Sequence, residues 1–415
     1  MKTWLFVVTA LVCAILLISS TEETKWGFFG HRRINRLAVF TLSPAMMPLY
    51  KTSIEFLTEH AVDADKRRYA VKDEAARHFI DLDRWYKNGV LECPTQYDEA
   101  LALYTDFFPV AATSSESLIG RRSVVIIGKE KYLIPEGINH TDTNLLVELK
   151  KFRHFISKIL IPLANREDKV ILQGKLINDA LHKRIAKEDQ TYIWMDTFSI
   201  HGILPYQLPD RYRKLVQAFS NKDRKTILRL SADIGHYIAD AHVPLHTTSN
   251  YNGQMTNQMG LHAFWESRIP ELFADNEYDF IVGKAQYINN INTYIWGVVL
   301  KSHSYVDSVL LIEKRLSLSY PSDQQFCFDE RTGTIVRTQC EAYAKAYQQA
   351  MKGMVESRMR DAILSVGSVW YSAWIDAGQP NLFNLSKSKE PEQDPGDVEM
   401  DKAYKGGTII GRPEN

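Results

Sequence analysis

Residues 231–246 read Ser231-Ala232-Asp233-Ile234-Gly235-His236-Tyr237-Ile238-Ala239-Asp240-Ala241-His242-Val243-Pro244-Leu245-His246. His236 and Asp240 stand four apart, so a helix places them on one face. Pro244 has no amide hydrogen to give and ends that helix soon after. His246 follows where the chain turns away, and it can point back at the same face. A second pair comes in Gly260-Leu261-His262-Ala263-Phe264-Trp265-Glu266, where His262 and Glu266 again share a helical face. Zinc takes imidazole nitrogen and carboxylate oxygen, and i,i+4 spacing delivers two such ligands with little ordering cost. One isolated pair is ordinarily a solvated ion pair or a satisfied core histidine. Two pairs within 31 residues, with His246 between them, read instead as a metal centre. His242 reads as a passenger with a structural role.

Working outward, helical periodicity dominates the chain. Residues 35–57, 144–161, 169–185, 211–219, 222–241, 291–316 and 341–377 all read as helix-rich. The exception is 123–134, where two apolar runs flank Gly128-Lys129-Glu130-Lys131 and predict a small β-hairpin. From about Leu385 the composition turns to Lys, Glu, Asp, Pro and Gly, which predicts a polar, disordered tail over 381–415. The expected fold is mainly α: a single helical domain over 26–380 with a small β-hairpin insertion.

The N-terminus reads as an export signal over residues 1–25. Lys2 precedes an apolar run from Trp4 to Ile18 that is shorter than the ~20 residues of a span. No later stretch reads as a transmembrane segment, so the mature chain is expected outside the cytoplasm, periplasmic or extracellular. Three cysteines remain after residue 25, so a complete disulfide framework is excluded. Cys327 and Cys340 flank a turn-like stretch; whether they pair stays open. Across 415 residues, 50 Lys and Arg balance 50 Asp and Glu. That balance argues against a stable nucleic-acid partner held by bulk positive charge. An anionic substrate needs a local site.

Upstream lie Val62-Asp63-Ala64-Asp65-Lys66-Arg67-Arg68, then Ala76-Arg77-His78-Phe79-Ile80-Asp81, and before both Trp26-Gly27-Phe28-Phe29-Gly30-His31. Alone, these read as a charged loop, a charged helix start and an aromatic turn. Taken in order with the two histidine–carboxylate pairs, they resemble the zinc-dependent phospholipase C and single-strand-specific nuclease superfamily. The matching motifs are Trp-x4-His, Asp-x2-Arg, His-Phe-Ile, His-x3-Asp-x5-His and His-x3-Glu, and they run from Trp26 to Glu266.

The resemblance implies a helical fold around three zinc ions. Asp65, His78, His236 and Asp240 would hold one. His246, His262 and Glu266 would hold the second. His31, a bridging Asp240, and the α-amine and carbonyl of Trp26 would hold the third. It also implies hydrolysis of a phosphodiester by metal-activated water, since zinc lowers the pKa of bound water towards ~7. Asp65 would orient that water, Arg68 would stabilise the transition-state phosphate, and Phe79 would stack on a substrate base. Asp63 competes with Asp65 for the ligand role. The implied substrate is a phospholipid head group or a single-stranded nucleic acid. Glu266 and the short His246–His262 loop lean towards the phospholipase branch, whereas Trp-x4-His leans towards the nucleases; the expectation leans to phospholipase C-like cleavage, with a single-strand-specific endonuclease as the alternative. A non-catalytic zinc-binding surface protein is the reading from another class.

Two features depart from the pattern. Lys25 precedes Trp26, where signal peptidase prefers a small residue. The 158 residues from His78 to His236 require an insertion, placed at about 95–190.

Overall fold

The computed structural model describes residues 28–87, 89–110, 118, 122–135, 146–166, 169–331, 334–387, 395–407 and 409–412. The expected export signal and Trp26 lie outside the described residues. The molecule is mainly α-helical, with small sheets. The helices that carry or brace the site are α1 (Phe28–Ala38), α2 (Leu204–Asn221), α3 (Arg224–His242), α4 (Ile291–His303), α5 (Val306–Ser319), α6 (Met354–Asp376) and α7 (Pro395–Gly406).

Helix α3 is the axis. Asp223 caps it by accepting the Thr226 amide at 3.2 Å. It ends at His242, two residues before Pro244. Every residue from Ile234 to His242 is buried, so its neighbours must meet it closely. Helix α6 does so along a seam that includes the fully buried Trp370, whose indole N–H donates to the Ser231 carbonyl at 3.0 Å. Large apolar side chains of this kind contribute about 1.5–3 kcal/mol each on burial. The exposed ion pairs on the surface contribute about 0–1 kcal/mol each, so the seam rather than the surface charge holds the scaffold. Helix α1 comes closer still. A Cβ on Gly235 would lie 1.9 Å from Asn35 Oδ1, so only glycine permits this approach. Asn35 is fixed there by donating its amide to Ala232 O at 3.1 Å and Leu57 O at 3.3 Å.

The region expected as an insertion folds as a mixed α/β layer. Strands β3 (Asp106–Pro109), β8 (Thr191–Met195) and β7 (Val170–Gln173) form one antiparallel sheet in the order β3-β8-β7. Strands β4 (Arg122–Ile127), β5 (Glu130–Pro135) and β6 (Val147–Glu148) form another in sequence order. The β4–β5 pair is the expected hairpin, with Gly128 at φ 66° in its turn. Two short strands, β1 (Tyr86–Lys87) and β2 (Val90–Leu91), pair just before this region.

Several expectations need correction. Residues 169–185 begin as strand β7, and the helix starts only at Gly174. Four residues that alternate buried and exposed were hidden inside a longer apolar run. Of residues 144–161, the described part from 146 likewise carries β6 before its helix starts at Leu149. The stretch 291–319 does reach the length and mean hydropathy of a membrane span, contrary to expectation. It is broken into α4 and α5, of 13 and 14 residues, each short of the ~20 a span needs. The tail is not featureless: α7 forms within it and packs through buried Met400 and Tyr404, an i,i+4 pair. Cys327 and Cys340 are disulfide-bonded and close the hairpin of β9 (Phe326–Arg331) and β10 (Thr334–Gln339).

Candidate metal centre

Five imidazoles and three carboxylates converge around the C-terminal half of α3. His236 and Asp240 come from α3 itself, and His31 from α1. Asp65 sits in the short helix Asp63–Arg67, and His78 follows the turn Ala75–Arg77. The 3-10 turn Pro244–Thr247 swings His246 back, as the proline requires. His262 and Glu266 follow Gly260. Here the expected α-helix is only Leu261–Ala263, and a π-helical turn, Phe264–Arg268, carries Glu266. The wider turn still brings His262 Nε2 to 2.8 Å from Glu266 Oε2. Such π-turns concentrate at functional sites.

The potential ligand atoms form three groups, of which the first two share His236: His31, His236 and Asp240; Asp65, His78 and His236; and His246, His262 and Glu266. Asp240 spans them. Its Oδ2 lies 3.0 Å from His78 Nδ1 and 3.3 Å from His236 Nε2. Its Oδ1 lies 3.5 Å from His31 Nε2 and 3.9 Å from His246 Nε2. Asp65 Oδ1 is 3.8 Å from His78 Nδ1 and 3.7 Å from His236 Nε2. Glu266 reaches His31 with one oxygen at 3.4 Å and His246 with the other at 3.2 Å. Two donors on one tetrahedral zinc stand about 3.3 Å apart, given bonds of about 2.0–2.1 Å. The spacings bracket that value, so each group could hold a metal ion, and zinc is compatible.

The opposite ring nitrogens are anchored. His236 Nδ1 faces Ala61 O at 2.7 Å, His246 Nδ1 faces His78 O at 2.6 Å, and His262 Nδ1 faces Tyr251 O at 3.2 Å. With those nitrogens donating, each Nε2 is left as the lone-pair atom a metal needs.

Charge points the same way. Asp240 is 1% exposed, and burial alone would raise its pKa. His236 and His246 beside it hold it well below the carboxylate range instead. Glu266 behaves alike: burial would raise it, and His246 with its other histidine partners lowers it. For His236, burial lowers the pKa, but Asp240 and Asp65 overcome this and lift it to about 9. Isolated buried charges cost several kcal/mol each. Arg68, 3.8 Å from Asp65, is the one permanent side-chain cation of this chain within 4 Å of these three carboxylates among the described residues. Bound cations would complete the balance.

Other sequence candidates separate cleanly. Asp63 turns away to His60 and Lys66, leaving Asp65 in the cluster. His242 also faces away, with Nδ1 on Ile238 O at 2.7 Å and Nε2 on Ser365 Oγ at 3.2 Å. Burial and the neighbouring Arg358 push its pKa down to about 3, so it stays neutral. Phe79 is buried beside His78 and forms one wall of a slot whose other wall is Tyr251.

Sequence reasoning missed three contributors. Glu74 is fully buried, accepts from the Tyr237 hydroxyl and from Arg77, and lies 3.9 Å from His78 Nε2. Burial would raise its pKa, yet Arg67, His78 and Arg77 bring it to about 2. Its spacing from His78 is i,i+4, the signal already used for the other pairs. Asp81 and Tyr251 carry no comparable pattern, because the slot joins segments far apart in the chain. No family model and no curated protein matches this sequence.

Proposed function

We propose that the chain is an exported zinc-dependent hydrolase of phosphodiester bonds, acting on single-stranded nucleic acid. The observation that carries the reading is the convergence of eight ligand-type side chains in three neighbouring groups beside Arg68. Three zinc ions would be held by Asp65, His78, His236 and Asp240; by His246, His262 and Glu266; and by His31 and Asp240 with Trp26. When bound, they would supply water of lowered pKa and Lewis acidity towards the phosphoryl oxygens. Asp65 would orient the water by accepting a hydrogen bond from it. Arg68 offers N–H donors to the phosphate, a charge-assisted contact. The nucleic-acid preference rests on the Phe79–Tyr251 slot, two aromatic faces with the Asp81 carboxylate at the edge. Stacking in such a slot contributes about 1–3 kcal/mol per base. The Cys327–Cys340 disulfide and the N-terminal apolar run support export.

Phospholipase C-like cleavage is the second reading. It is favoured by Met255 and Met259, which are 68% and 64% exposed in the loop between His246 and His262 and could touch a lipid surface. The test is to measure zinc content and then hydrolysis of single-stranded DNA, RNA and phosphatidylcholine. Nucleic-acid cleavage that is lost in His236→Ala supports the proposal. Full activity in that variant, or in metal-free protein, overturns it. Bound zinc without turnover of any substrate identifies a binding protein instead.

A further inference from the structure

The slot and Arg68 are already engaged by the chain's own C-terminal segment. Helix α7 docks beside the cluster through Asp397, which takes Arg229 at 2.9 Å, and Asp401, which takes Lys66 at 3.1 Å. Tyr404 packs its ring on Phe28 and Tyr69. Beyond α7 the Ile410 amide donates to the Arg68 carbonyl at 2.8 Å. Gly411 takes φ +100°, and a Cβ there would lie 2.6 Å from Ala75 Cβ. The Arg412 carbonyl accepts from the Arg68 guanidinium. The Arg412 guanidinium then fills the slot, 4.0 Å from the Phe79 ring centre and 3.5 Å from that of Tyr251. Nη1 donates to Asp81 at 2.7 Å and Nη2 to Thr248 O at 3.1 Å.

We propose that residues 409–412 are an internal competitor for the substrate site. A planar, delocalised guanidinium lies where a base would stack, and a carbonyl oxygen lies on the arginine offered to phosphate. The proposal rests on the phosphodiesterase reading above. Only a short link separates α7 from Ile410, so the local concentration of the plug is on the order of mM or higher. An intramolecular competitor of this kind raises KM and leaves kcat unchanged. Displacing it exposes the slot and removes the Arg412 carbonyl from Arg68 together.

The test uses the full-length, zinc-loaded protein and two variants, Arg412→Ala and Gly411→Val. Hydrogen exchange at the Ile410 amide reads the tail directly, and kinetics and fluorescence anisotropy with a labelled oligothymidylate read the site. The expected result is a protected Ile410 amide in the parent and loss of protection in both variants. KM should fall about tenfold at constant kcat. Exchange of Ile410 at the free-peptide rate in the parent overturns the proposal, as does an unchanged KM in variants that have lost protection. If none of the proteins turns over substrate, the hydrolase reading falls separately, and anisotropy decides the tail. Tighter oligothymidylate binding by Arg412→Ala then upholds competition, and equal binding overturns it.

Discussion

His31 lies flat against His236, with ring centres 3.9 Å apart and planes 20° from parallel. The two rings belong to α1 and α3, and the glycine at 235 sets how near those helices come. Gly235→Ala adds a Cβ against Asn35, which cannot swing away without giving up its two buried hydrogen bonds. Overpacking costs about 1–3 kcal/mol, whereas alanine returns about 1 kcal/mol of helix propensity. The expected outcome is a lower urea midpoint with an unchanged m-value, together with zinc lost from the His31 position.

Zinc affinity should climb with pH. Burial opposes a charge on His236, but Asp240 and Asp65 lift its pKa to about 9, so the metal-free site holds a proton there at neutral pH. A metal must displace that proton. Affinity therefore rises as pH increases towards about 9 and levels above it. Calorimetry in buffers of different ionisation enthalpy should record proton release at pH 7. Release of no protons would contradict the assignment of His236 as a ligand.

Glu74→Gln should loosen the metal without touching it. The glutamate fixes the surroundings of His78 from behind, and loss of such a partner typically costs 10–100-fold in metal affinity. Competition against a chelator measures this. The same change alters acid stability. Because the folded pKa of Glu74 is lowered to about 2, its contribution is complete above the ordinary value near ~4.3 and is lost as pH falls towards about 2. The variant should show a shallower loss of stability across that window.

The helical class and five of the eight candidate positions, His236, Asp240, His246, His262 and Glu266, could be read from local spacing, because i,i+4 pairs and a proline stop are properties of single segments; His31, Asp65 and His78 stood out only through the resemblance. What the sequence hid is made of contacts between distant segments. Tyr251 and Phe79, 172 residues apart, both lie against the Arg412 guanidinium. The composition of the tail suggested disorder because Met400 and Tyr404 are few among its charges, yet two anchors at i,i+4 suffice to dock a helix on an existing surface. Strand β7 escaped for another reason: four residues are too few for a period of two to stand out inside an apolar run.

Cys93 should be inert in the folded protein. Burial pushes its thiol up to about 12, despite the hydrogen bond with the Tyr206 hydroxyl, which favours the thiolate. At pH 8 it is therefore protonated and enclosed. Iodoacetamide should leave it unmodified in native protein and alkylate it in urea, as mass spectrometry would record. Labelling of the native protein would show that the region around Tyr206 opens.

Asp240 directs one oxygen to His78 and His236 and the other to His31 and His246. A carboxylate is rigid and planar, so turning it to suit one side turns it for the other. Filling either half of the centre therefore prepares the remaining half, and emptying one releases its neighbour. The ions should load and leave as a cooperative set, and a preparation short of metal should hold a mixture of fully charged and empty molecules rather than uniformly half-filled ones.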